Sequence, residues 1–92
     1  MKYTMNDFIS WVNTLPSEDL YNLCKECTFA IDNGYFEEDS RCSKWVTKIA
    51  ENNSQPKIMF VLDIVYCVSM ELMKRVTKAG SFISYLRNEV KL

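Results

Sequence analysis

Apolar residues recur three and four positions apart along most of the chain, which is the spacing of one face of an α-helix. The first stripe of this kind comprises Met5, Phe8, Ile9, Val12 and Leu15. It predicts a helix over about residues 5–13, with Thr4 as its N-cap and Asp7 in the first turn, where the helix dipole favours a negative charge. Pro16 ends this helix, because proline disfavours the α conformation in the residue before it.

Two further helices are predicted between residues 16 and 52. The second begins at Pro16 or Ser17 and stops at Asn33-Gly34, where glycine can adopt the left-handed conformation. The third lies between about Tyr35 and Asn52. The polar residues that follow, up to Pro56, form the clearest loop in the sequence.

The longest apolar segment predicts a fourth helix over about residues 56–79. The run from Ile58 to Val76 is too long for a strand, and Asp63 and Glu71 interrupt it, which disfavours a membrane span. Gly80-Ser81 is expected to end this helix, with Ser81 capping a last segment from Phe82 to Val90 whose apolar residues face inward. A helix that continues through Gly80 is the alternative, because one glycine costs only about 1 kcal/mol.

These elements predict an all-α fold, a small bundle of four or five helices around the long helix at 56–79. The 92 residues suit a single domain over residues 1–92. Only two glycines and two prolines are present, whereas sheet proteins use many such residues in tight turns.

The charged residues of the fourth helix gather on about one third of its circumference, which marks that third as the expected solvent face. They are Lys57, Asp63, Glu71, Lys74, Arg75 and Lys78. Phe60, Ile64 and Cys67 lie on this same third of the fourth helix. Phe29 and Phe36 do not fit the amphipathic pattern of the second and third helices. Together they form a predicted partner-binding patch of Phe29, Phe36, Phe60, Ile64 and Cys67. The alternative is that the bundle covers these residues by wrapping its other helices around the central one.

Charge is distributed unevenly along the chain. Residues 1–39 contain two basic and eight acidic side chains, whereas residues 40–92 contain nine basic and four acidic ones. The basic half suggests an alternative function, the binding of an anion or a nucleic acid. The residues that would serve it are Arg41, Lys44, Lys48, Lys74, Arg75 and Lys78. The overall pI of about 5.4 disfavours nucleic acid.

The sequence offers little to a catalytic mechanism. It contains no histidine, which excludes Ser-His-Asp and Cys-His nucleophiles. Cys24 and Cys27 form a CxxC pair, but the pair falls inside a predicted helix on its apolar side. We therefore expect core thiols rather than a metal or redox site, no cofactor, and no enzymatic activity.

The expected function is protein–protein interaction through an exposed apolar helix face, as an adaptor, inhibitor or assembly factor. The partner would be another protein, or the chain itself in a homo-oligomer. The first residues lack the apolar core of a signal peptide, so we expect a cytoplasmic protein with reduced cysteines and no membrane association.

Overall fold

The structure, a computed structural model, describes the backbone of residues 3–90 and the side chains of residues 3–78. It contains four α-helices: α1 at Met5–Thr14, α2 at Ser17–Asn33, α3 at Arg41–Asn53 and α4 at Ile58–Val90. Residues 3–90 include no β-strand, so the predicted all-α class is confirmed. Helix α4 packs against each of the other three helices.

The ends of α1 and α2 follow the predicted local chemistry. The Thr4 hydroxyl accepts a hydrogen bond from the Asp7 N–H at 3.1 Å, and the Asp7 carboxylate accepts one from the Thr4 N–H at 3.0 Å. This reciprocal pair is a capping box, and it satisfies two backbone donors at the helix start. Gly34 ends α2 with a φ of 83°, a left-handed conformation that glycine adopts without steric cost.

Helix α3 begins later than the sequence predicts. Its first residue is Arg41 rather than about Tyr35, and Glu37–Asp39 lie exposed in the connection that precedes it. Ser40 is the N-cap, and its hydroxyl accepts a hydrogen bond from the Ser43 N–H at 3.1 Å. Phe36 is buried in the core, which requires the chain to turn here rather than continue as a helix.

Helix α4 is one continuous helix of 33 residues, so the predicted break at Gly80-Ser81 is wrong and the alternative is correct. Gly80 lies within the helix, where its cost is small compared with restarting a helix. The inward-facing residues predicted for the last segment, Phe82, Ile83, Leu86 and Val90, lie outside the described side chains.

One core joins the four helices. Its fully buried members include Phe8 and Val12 from α1, Leu20 and Leu23 from α2, Cys42 and Ile49 from α3, and Ile64 and Val68 from α4. An aromatic cluster closes one end of this core, because the Trp45 ring of α3 lies 5.3–5.5 Å from the rings of Tyr3, Phe8 and Trp11. Edge-on and tilted pairs of this kind stabilise the contact between α1 and α3 beyond the burial of area alone.

Three of the four cysteines meet where α2 packs on α3. Cys27 and Cys42 are buried, and Cys24 packs half-buried against the same core. A side-chain hydrogen bond with Cys27, together with burial, raises the pKa of the Cys42 thiol far above its usual range. The Cys42 thiol is therefore neutral, and the CxxC pair belongs to the core, as its position on the apolar side of the helix predicts.

Glu26 completes the contact between α2 and α3. Its carboxylate accepts a hydrogen bond from the Cys42 N–H at 2.9 Å, in the first turn of α3, and lies 3.7 Å from the Arg41 guanidinium. A negative charge at a helix N-terminus is favourable, since the first backbone N–H groups have no partner within the helix. One acidic side chain of α2 thus determines where α3 begins.

Replacing Ile64 with alanine tests which face of α4 is buried. We expect Ile64→Ala to lower the free energy of unfolding by about 2–5 kcal/mol, because it leaves a cavity in the core. Ile31→Ala is a matched control on α2, where the isoleucine is 65% exposed, and should change stability by less than about 0.5 kcal/mol. Urea denaturation followed by circular dichroism measures both values, and equal effects would contradict the described core.

The thiols should react with a disulfide reagent in two groups. Cys24 and Cys67 are half-buried and should be labelled first in the native protein at about pH 8, whereas Cys27 and Cys42 should react only as the protein unfolds. Mass spectrometry of digested samples identifies the order. Labelling of Cys42 as fast as that of Cys67 would contradict the packing of α2 on α3.

Candidate functional site

The five residues predicted to form a partner-binding patch do not lie together on the surface. Phe36 and Ile64 are buried in the core, so the prediction that they are exposed is wrong. Phe29, Phe60 and Cys67 are half-buried, and Phe29 packs edge-on against Tyr35 with ring centroids 5.7 Å apart. Phe60 and Cys67 pack against the core, whereas Phe29 packs on the exposed Tyr35, so the five residues do not form one binding surface.

The charged side of α4, which the sequence predicts to face solvent, is partly covered by the other helices. Glu71 and Arg75 form an ion pair at 2.9 Å, and both side chains are mostly covered. The Arg75 guanidinium also donates to the Ser17 hydroxyl at 3.3 Å and to the Val12 carbonyl oxygen at 3.5 Å. These two charges therefore link α4 to the end of α1 and the start of α2, which explains why they do not mark a wet face.

The opposite side of α4 carries a row of exposed apolar side chains, which we call the α4 stripe. Its members are Ile58, Met59, Leu62, Tyr66, Met70, Met73 and Val76. Leu62 is 73% exposed, whereas Ile64, two positions further along the same helix, is 0% exposed. Helix α4 is thus apolar both on the face that contacts the core and on the face that points away from it.

The α4 stripe has the dimensions of a helix-packing surface. Met59, Leu62, Tyr66 and Met73 are separated by three, four and seven residues, which is the spacing of the seam between two packed helices. From Met59 to Val76 the stripe is about 26 Å long, and with a helix diameter of about 10–12 Å its footprint is roughly 300 Å². Apolar patches of this size on a protein surface commonly mark interaction sites.

A groove between α1 and α4 widens this surface. Its volume is about 610 Å³, and Met70 and Met73 contribute to its lining together with Asn13 of α1. A smaller adjoining groove of about 210 Å³ lies between Ile9 of α1 and Tyr66 of α4. Ile9 is exposed, so the apolar surface continues from α4 onto the neighbouring helix.

Two opposite charges lie along the same edge of the α4 stripe. Asp63 is exposed near its N-terminal end, and Lys74 is exposed near its C-terminal end. At 100° per residue the two positions differ by only about 20° around the helix axis. The edge therefore changes from negative to positive along the helix.

The six basic residues of the anion-binding alternative are distributed over two helices and do not all face solvent. Arg41 and Arg75 are half-buried and paired with Glu26 and Glu71. The Lys48 ammonium lies 4.6 Å from the centre of the Tyr3 ring, and Lys44, Lys74 and Lys78 are exposed. Carboxylates thus already neutralise both arginines that would be the strongest phosphate ligands.

The sequence contains the signal for the α4 stripe. Apolar residues occupy almost the whole circumference of the segment from Ile58 to Val76, which is more than one packed face requires. Using the charges to assign the exposed face selects the wrong side, because Glu71 and Arg75 neutralise each other within the fold. The exposed face of α4 can be identified only from the way α1 and α2 pack against this helix.

Within the described residues, no helix is both long enough and apolar enough to cross a membrane, and no three cysteine or acidic side chains are arranged to hold a metal ion. No family model, no curated protein and no solved structure matches this chain. The basis for a functional proposal is therefore the surface of α4.

Proposed function

We propose that the protein is a small helical interaction module, acting as an adaptor, inhibitor or assembly factor, that binds a protein partner through the α4 stripe. The observation that carries this proposal is the row of seven exposed apolar side chains along one face of α4, opposite the face that contacts the core. Single exposed apolar residues need no explanation, but a continuous row at helix-packing spacing does.

Burial of the α4 stripe by a partner supplies the driving force. Removing apolar surface from water stabilises a complex by about 25 cal/mol for each Å². The side chains in the stripe are of the kind that interfaces favour, since aromatic residues and methionine are enriched there and lysine and glutamate are depleted. Met59, Met70 and Met73 are unbranched and flexible, so they can adapt to the shape of the partner.

The geometry favours a partner that contributes a helix or a long apolar groove. A straight stripe about 26 Å long, with residues at three- and four-residue spacing, matches helix-in-groove and helix-on-helix recognition. The groove between α1 and α4 provides a further site beside the stripe, where a large side chain of the partner can insert. The partner therefore packs along α4 rather than across it.

This proposal has more support than the binding of an anion or a nucleic acid. The two arginines among the basic residues are held by carboxylates in the fold, and the four lysines are divided between α3 and α4. Affinity for DNA, RNA or nucleotides that falls steeply with salt would support the alternative instead.

Site-specific photocrosslinking tests the proposed function in cells that naturally produce the protein. A photoreactive phenylalanine analogue in place of Leu62 should give a discrete protein adduct, because Leu62 is the most exposed residue of the α4 stripe. The same analogue at Ile31, which is equally apolar and exposed on α2, should give none. Met73→Glu should abolish the adduct at position 62, since it places a charge in the apolar interface.

The circular dichroism spectrum of Met73→Glu should match that of the wild type, because the side chain is exposed. Adducts of equal yield at positions 62 and 31, or an adduct at 62 that persists in Met73→Glu, would exclude the α4 stripe as the binding surface.

A further inference from the structure

We infer that the protein that covers the α4 stripe is a second copy of this chain, with the two α4 helices packed antiparallel. The two-fold axis crosses the stripe at the level of Val68, on the exposed face of the helix opposite that buried residue. This inference rests on the proposed function and identifies its partner. A two-fold pair uses the same surface on both chains, so that surface must be complementary to itself. The α4 stripe meets this condition in its apolar residues and in its charges.

The apolar residues of the stripe are distributed almost evenly about its midpoint. In an antiparallel pair centred between Cys67 and Val68, Leu62 faces the partner's Met73 and Met59 faces the partner's Val76, while Tyr66 faces the partner's Ser69. The outer layers of the seam then contain two apolar side chains each, and Met70 lies beside the central layer of Tyr66 and Ser69. No layer in this set places an apolar side chain against a charge.

The charges along the edge of the stripe determine the direction of the pair. A two-fold axis perpendicular to antiparallel helices brings like edges together, so Asp63 meets the partner's Lys74 and Lys74 meets the partner's Asp63. In a parallel pair in register, like edges lie on opposite sides of the seam, so Asp63 and Lys74 would face the partner's uncharged edge and form no ion pair. Opposite charges across an interface favour the antiparallel pair, since the parallel pair lacks these contacts.

The mass of the full chain, measured by sedimentation over about a hundredfold range of concentration, tests the inference directly, because dimers form by mass action. The wild type should be a dimer at high concentration. Asp63→Lys or Lys74→Asp alone should each raise the dissociation constant by about tenfold, since each change creates two repulsive pairs in the dimer. The double variant should return the constant to near the wild-type value, because it restores both opposite pairs.

Lys44→Asp is the matched control. It reverses the charge of an exposed lysine on α3, away from the α4 stripe, and should leave the dissociation constant unchanged. All four variants change exposed side chains, so their circular dichroism spectra should match that of the wild type.

Thiol crosslinking tests the antiparallel direction. In a background with Cys24→Ser and Cys67→Ser, one chain carries Asp63→Cys and another carries Lys74→Cys. A short bismaleimide should link the two chains in a mixture, but should not link either variant to itself, because each position lies far from its own copy in an antiparallel pair. Efficient linking of Asp63→Cys to itself indicates a parallel pair and overturns the inference.

The outcomes for this inference and for the proposed function are distinguishable. A chain that stays monomeric at every concentration, yet forms the adduct at position 62 with a different protein, overturns the second-copy inference and leaves the interaction module supported. A monomer that forms no such adduct excludes both. A dimer that is insensitive to charge reversal at Asp63 and Lys74 also overturns the inference.

Discussion

The burial of one side of α4 is the interaction on which the rest of the structure depends. Val61, Ile64 and Val68 pack into the core, and α1, α2 and α3 all contact this helix. The three shorter helices surround only one side of α4. The apolar residues of α4 extend around almost its whole circumference, so a fold with one core leaves an apolar surface in water. The proposed function follows from this excess of apolar surface over what the fold can cover.

The local elements were largely predictable because they depend on neighbouring residues. Thr4 and Asp7 form a capping box, Pro16 precedes the start of α2, and Gly34 ends it in the left-handed conformation. Each of these signals acts within one or two helical turns. The start of α3 was not predictable in the same way, since it depends on Phe36 entering the core and on Glu26 of α2 accepting from the Cys42 N–H.

The orientation of α4 about its own axis could not be read from its sequence alone. Charged residues usually mark the exposed face, but Glu71 and Arg75 neutralise each other, and Arg75 also satisfies a carbonyl at the end of α1. Residues 58–76 contain enough apolar side chains for two opposite faces, and the periodicity supports both choices equally. Long-range contacts decide between them, which is why an exposed apolar face on this helix was predictable and its residues were not.

Because α4 contacts the core with one face and exposes a row of apolar side chains on the opposite face, its register is constrained more tightly than its composition. Insertion or deletion of a single residue between Ile64 and Glu71 would rotate all that follows by about 100°. It would move Arg75 away from Val12 and turn Met73 out of line with Leu62. The connection from Ser54 to Lys57, in which every residue is exposed, transmits no such rotation. As this sequence diverges, substitutions are therefore expected within α4, whereas insertions and deletions are expected only in the connections between helices.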